Sequence, residues 1–248
     1  RFPSTRRFVM EPIKELEGAH VALIGLGTSQ IDYVIGRENS VEWDETWGCG
    51  SSAAVFQLDR LFMMDPASRF FDTDDAGKQT DVMRKILPEL QIPIYSCELD
   101  DRVPGIVEYP VNEVVAATRC AYMNNTVAYA VAFAYWNNVK QIDLFGIDFS
   151  YKGNLHFAEA GRACVEFWLS KCIEKEIKVG VSPRSSLLDS DVPMEDRLYG
   201  YHRLDDPKIA IPDKDEWFVC NKSEMDQMIE TGKTTIQTIP RPPEPFKG

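Results

Sequence analysis

Residues 124–149 read NNTVAYAVAFAYWNNVKQIDLFGIDF, a stretch of helical length with no charged residue, followed at once by a short apolar run that breaks at Gly-Ile-Asp. A helix that is apolar on every side has to be covered on every side. An apolar strand next to it needs cover on both faces too, and parallel sheets flanked by helices provide that. The rest of the chain repeats the theme. HVALIGLG (20–27), TWGCG (46–50), RLFMMD (60–65), IPIYSCE (92–98) and IKVGVS (177–182) read as further strands. NEVVAATRCAY (112–122), behind a possible Asn112 cap, and FAEAGRACVEFWLSKCIEKE (157–176) have helical spacing. The expectation is an α/β fold: a Rossmann-like parallel sheet with helices on both faces and an irregular C-terminal lid or extension.

At 248 residues the chain is long enough for one substantial core. We expect a Rossmann-like nucleotide-binding domain over 1–185. Over 186–248 we expect a lid-like and extended segment that is not an independent domain, because periodicity fades after Ser185 and IPRPPEPFKG closes the chain as a proline-rich tail. The formal net charge is -12, which disfavours broad nucleic-acid binding through phosphate neutralisation. RFPSTRRF at the start lacks the apolar core of a secretory signal, and no apolar run is long enough to span a bilayer. Six scattered cysteines without a C-x-x-C pair, and three histidines, make neither a zinc pattern nor a disulfide scaffold. Most of the cysteines are expected to be buried thiols in a reducing cytoplasm.

Open parallel sheets bind ligands beyond the carboxyl ends of their strands. The polar clusters fall there: Gly25, Gly27, Thr28 and Ser29 after the first strand, Gly50, Ser51 and Ser52 after the second, Asp65 after the third, and Asn124, Asn125 and Thr126 at a helix start. GLGTSQ has Gln30 where a dinucleotide fingerprint has its third glycine, and it has no Walker lysine. It reads either as a tight strand-to-helix turn or as backbone amides for a phosphate. Asp148 ends the QIDLFGID strand, placed to hold a hydroxyl, orient a base or cap the next turn, whereas Asp143 reads as an edge or helix-contact residue. His156 follows in the loop with a side chain suited to proton transfer, and His202, beside Tyr199, Tyr201 and Arg203, is its rival.

The succession VALIGLGTSQID, WGCGSS and NNTVAYAVAFAYWNNVKQIDLFGIDFSY resembles the small, metal-independent bacterial sialyltransferases with a single Rossmann-like nucleotide domain. It is also similar to a broader Rossmann-like group that includes archaeal hydroxymethylpterin pyrophosphokinase and bacteriophage proteins, and the likeness runs from residue 20 to about 182. In the sialyltransferases three segments hold the cytidine nucleotide. Their positions are matched here by Gly25, Leu26, Gly27, Thr28 and Ser29, by Gly48, Cys49 and Gly50, and by Asn124, Asn125 and Thr126. Leu26 and Gly50 stand where that family has asparagines, which leaves the donor base and sugar open. The family's phosphate-assisting tyrosine has its nearest match in Tyr151 or Ser150. For its general base, His156 is nearer in sequence and His202 the better match to a lid.

The resemblance implies a nucleotide-sugar-dependent glycosyltransferase of phage or bacterial origin in a cytoplasm, the host's if viral. No cofactor and no metal would be required. Alternatives are a transferase of pyrophosphokinase type, with Mg²⁺ on Asp65 and Asp148, and a nucleotide-binding protein without catalysis. The acceptor and the oligomeric state are left open.

Overall fold

The computed structural model describes residues 10–150, 153–197, 206, 208–213 and 216–232. Within them the chain divides into two compact units, 10–191 and 192–232.

The first unit is built on seven parallel strands in the order β5-β4-β3-β2-β1-β6-β7. The strands are β1 (His20–Ile24), β2 (Glu45–Cys49), β3 (Arg60–Phe62), β4 (Ile94–Ser96), β5 (Ile106–Glu108), β6 (Gln141–Phe145) and β7 (Lys178–Val181). Alternating side chains divide the core in two. Val21, Leu23, Trp47, Phe62, Ile142 and Leu144 face one layer, with α4 (Val111–Thr118), α5 (Thr126–Trp136) and α6 (Leu155–Glu174). Ala22, Ile24, Leu61, Met63 and Phe145 face the other, with α1 (Ile31–Glu38), α2 (Ser68–Phe71) and α3 (Lys78–Ile86). Phe133 of α5 is fully buried and packs against Trp47, Phe62 and Tyr95, so the uncharged helix lies at the centre as its composition requires.

The chain starts in the middle of the sheet at β1, steps outward to β5, then crosses back to β6 on the other side of β1. The reversal between β1 and β6 is the switch point at which open α/β sheets leave a crevice.

Four details differ from the sequence reading. Asn112 lies inside α4, whose N-cap is Pro110 and makes no side-chain capping bond. Asp143 is no edge residue: β6 lies between β1 and β7, and the side chain is buried among donors from three other residues. Strand β6 stops at Phe145 and Gly146 turns with φ +65, so Asp148 sits in the loop beyond the strand. Residues 208–232, expected to be irregular, contain regular structure.

That structure belongs to the second unit, where β8 (Lys208–Asp213) and β9 (Glu216–Asn221) form an antiparallel hairpin followed by α7 (Lys222–Glu230). Asn221 and Glu224 close a capping box at the start of α7, and Asp206 accepts from the Ser223 amide and hydroxyl. Among the described residues no helix is long and apolar enough to cross a membrane. Cys49, Cys164, Cys172 and Cys220 are buried, Cys97 is exposed and Cys120 lies between, all as free thiols.

Candidate functional site

Tight turns after β1 and β6 bring two loops into contact at the switch point. The Gly25 amide donates to the Phe145 carbonyl and the Gly27 amide to the Gly146 carbonyl, at 2.8 and 2.7 Å. A Cβ on Gly27 would lie 2.4 Å from Asp148 Oδ2, so only glycine lets the loops approach this closely. Asp148 is the clasp. It is buried, and its carboxylate accepts from the Ser29 amide at 2.9 Å, from the Ser29 hydroxyl, and from Thr28 Oγ1 at 3.3 Å. The Ser29 hydroxyl in turn accepts from the Gly146 amide at 2.8 Å. The segment 182–191 braces the same loop from behind, with Ser185 Oγ donating to the Ile147 carbonyl and Ser186 Oγ to that of Asp148.

These loops form one wall of a cleft of about 1050 Å³ at the carboxyl ends of the strands, a size suited to an extended small-molecule ligand. Gly25, Gly27, Thr28, Gly50, Asp65 and the run Asn124, Asn125 and Thr126 all line it, as does Asp148. Ser29 does not; it is buried behind the loop as a partner of Asp148. Ser51 is half-buried and outside the lining, and Ser52 is buried with a hydroxyl that has no partner among the described residues. His156 is exposed on the first turn of α6, where its neighbour Phe157 lines the cleft. Tyr151 and His202 lie outside the described residues. His20, the other described histidine, begins β1 at the strand end away from the cleft.

The two asparagines are committed to local structure. Asn125 caps α5 by accepting from the Ala128 amide at 3.0 Å, and it donates to Asn124 and to the Gly161 carbonyl. Asn124 donates to the Ala160 carbonyl at 3.0 Å, which ties the start of α5 to α6. This leaves the Thr126 and Val127 amides in the first turn of α5, where a helix has no internal acceptors for them. In the glycine loop the Leu26 and Thr28 amides likewise find no acceptor among the described residues. Open amides at a helix start and a tight turn attract an anion.

Leu26, named from the resemblance, also lines the cleft, whereas sequence reading did not single out Met63, Met64, Met123 and Arg69. Leu26, at the tip of the first loop, is 47% exposed. Met63, Met64 and Met123 add a polarizable apolar wall, and Arg69 is the only basic residue lining the cleft among the described residues. Arg69 bonds Asp65 and Asp75, and these carboxylates, Asp65 first, hold its guanidinium above the ordinary arginine range. Its place four residues after Asp65 on a short helix was the available signal. Cys49, also in the lining, is pushed up to about 12 by burial, and burial followed by the Glu98 charge raises Cys97. Both are therefore neutral thiols near pH 7, unsuited to nucleophilic attack. Among the described residues no group of three or more His, Cys, Asp and Glu side chains gathers where one metal ion could be held.

No protein-family model and no curated protein matches the chain. It is similar to the solved structure of sialyltransferase CstII from Campylobacter jejuni in complex with the substrate analogue CMP-3FNeuAc, at 16% identity and a TM-score of 0.44, over 68% of this chain and 82% of that one. A similar likeness is found to alpha-2,3-sialyltransferase from Campylobacter jejuni in apo form, at 16% identity and a TM-score of 0.42, over 74% and 84% of the two chains.

Proposed function

We propose that this protein is a metal-independent glycosyltransferase that uses a nucleotide sugar. The observation that carries the reading is the convergence of the β1 loop, the β6 loop and the α5 N-terminus on one large cleft at the sheet's switch point. The open amides of Leu26, Thr28, Thr126 and Val127 suit a phosphate. Phe149 and Phe157 supply aromatic surface for a base. Asp148 is engaged by Ser29 and Thr28, and among the described residues Asp65 does not gather with two further His, Cys, Asp or Glu side chains, which favours this reading over the pyrophosphokinase type.

In the reaction an acceptor hydroxyl attacks the sugar's anomeric carbon. The bond from that carbon to the phosphate oxygen breaks, and the hydroxyl proton passes to a base. His156 and His202 are the candidates for the base, and Tyr151 the candidate donor to the departing phosphate. Asp148 acts through Ser29 and Thr28 by fixing the loop whose amides meet the phosphate, which makes it a positioning residue. Helix-start and loop amides stabilise the negative charge that grows on the leaving oxygen.

The test is nucleotide release from UDP-glucose, GDP-mannose and CMP-sialic acid in the presence of a chelator, followed by chromatography. Release from at least one donor, lowered ten- to a thousandfold by His156→Ala or by His202→Ala, is expected. Binding without turnover would favour the non-catalytic alternative, and dependence on added Mg²⁺ would sink the metal-independent scheme.

A further inference from the structure

The β1 loop and the α5 start carry open amides, with the Asp148 carboxylate engaged by Ser29 and Thr28 beside them, whereas the β3 end of the cleft carries Asp65. Strands β1, β2 and β3 are consecutive neighbours in the sheet, so the β1 loop and the β3 end that carries Asp65 lie two strand spacings apart, roughly 10 Å. This is room for a phosphate at one corner and the sugar attached to it at the other.

At the β3 corner Arg69 bonds Asp65 Oδ1 through Nη1 and Asp75 through Nε. Asp65 Oδ2 has no hydrogen-bond partner among the described residues, and the side chain is 46% exposed. Glu98, bonded to Ser68 Oγ, adds negative charge nearby, felt at the Cys97 thiol in the cleft lining. Two carboxylates, Asp65 and Asp75, therefore share one guanidinium. An anionic group here meets repulsion, and the one cation is already shared between Asp65 and Asp75. A free carboxylate oxygen fixed by an arginine is a good acceptor for hydroxyl donors.

We infer that Asp65 is a specificity-determining residue, whose free oxygen accepts hydrogen bonds from the hydroxyls of a neutral sugar and turns away a sugar that carries a carboxylate. The inference rests on the nucleotide-sugar reading above. It gives Asp65 a role other than metal binding, and it makes the donor class a neutral hexose or a similar polyol. Arg69 positions the carboxylate.

Two matched pairs of donors test this by calorimetric titration: UDP-glucose against UDP-glucuronate, and GDP-mannose against GDP-mannuronate. Each pair shares base and phosphates and differs only in a hydroxymethyl against a carboxylate. At least one pair is expected to favour the neutral member by about tenfold, since like charges at close range are penalised. Asp65→Asn, at a half-exposed position where the fold tolerates the change, should shrink that ratio below about threefold while the melting temperature stays within a few degrees. Equal or tighter binding of the acidic member, or an unchanged ratio in Asp65→Asn, overturns the inference and leaves nucleotide-sugar binding standing. Binding of free UMP, CMP, AMP or GMP with none of the four sugars bound overturns it as well. Failure of every nucleotide and nucleotide sugar to bind overturns both this inference and the reading beneath it.

Discussion

Asp143 and Asp148 belong to the one segment QIDLFGID (141–148), both are buried, and they serve opposite ends of the sheet. Asp143 accepts from His20 Nε2 at 2.6 Å, Trp43 Nε1 at 2.8 Å and Gln141 Nε2 at 2.9 Å, at the end where β1 and β6 begin. Asp148 accepts from Ser29 and Thr28 at the end where the cleft opens. Each carboxylate has the donors a buried charge requires. One pins together the start of the sheet, and the other fixes the loop that forms the cleft wall. Burial of an acid does not distinguish these roles; the position of its donors relative to the strand ends does.

Separating stability from binding would break or sharpen that contrast. Asp148→Ala and Asp143→Ala each leave buried donors unsatisfied and should each cost about 3 kcal/mol, read from urea denaturation. Only Asp148→Ala should also abolish nucleotide binding measured by titration calorimetry; if Asp143→Ala abolishes it equally, the two ends are not independent. Smaller steps should follow the same division. A Cβ at Gly180 would come 2.2 Å from Asp143 Oδ1, and one at Gly27 2.4 Å from Asp148 Oδ2. Each alanine substitution should therefore cost about 2 kcal/mol. Gly27→Ala should weaken nucleotide binding as well, whereas Gly180→Ala should leave the affinity of the remaining folded protein unchanged.

The smallest effect concerns the thiols. Burial pushes Cys49 and Cys172 up to about 12. Raised values keep these thiols protonated and slow to react well above pH 8; Cys97 is raised as well, but it is exposed. Iodoacetamide at pH 8 should therefore modify Cys97 well before Cys49 or Cys172 by mass spectrometry. A nucleotide sugar in the cleft should slow the Cys97 reaction severalfold. Equal rates for Cys49 and Cys97 would contradict the packing described at the end of β2.

Much of the first unit was legible because its strands are apolar runs and its central helix lacks charge. Strand β5 was not: Ile106–Glu108 is three residues at the sheet's edge, too short to give a period. Helix α3 escaped because KQTDVMRKI buries only Thr80 and Met83, and polar positions dominate it. The β8–β9 hairpin carries Pro212, a residue that counts against a strand when read alone. For the candidate site, most of the strand-end glycines and polar clusters singled out in the sequence line one cleft. The partners could not be read: nothing near Asp148 in sequence announces Ser29, 119 residues away. Asn124 and Asn125 read from sequence either as ligand contacts or as a helix cap; Asn125 is the cap and both line the cleft, and their bonds to α6 are a pairing that only the packing of α5 on α6 creates.

The central claim is that a nucleotide phosphate rests on the amides of the β1 loop and the α5 start. Amide hydrogen exchange, measured without ligand and then with saturating UMP, CMP, AMP and GMP in turn, tests it most directly, because a bound phosphate slows exchange of the amides that hold it. The account predicts that at least one nucleotide protects peptides spanning Gly25–Ser29 and Asn124–Tyr129 together, with no change around His20 and Asp143. No protection by any nucleotide, or protection confined to residues outside these two segments, would contradict it.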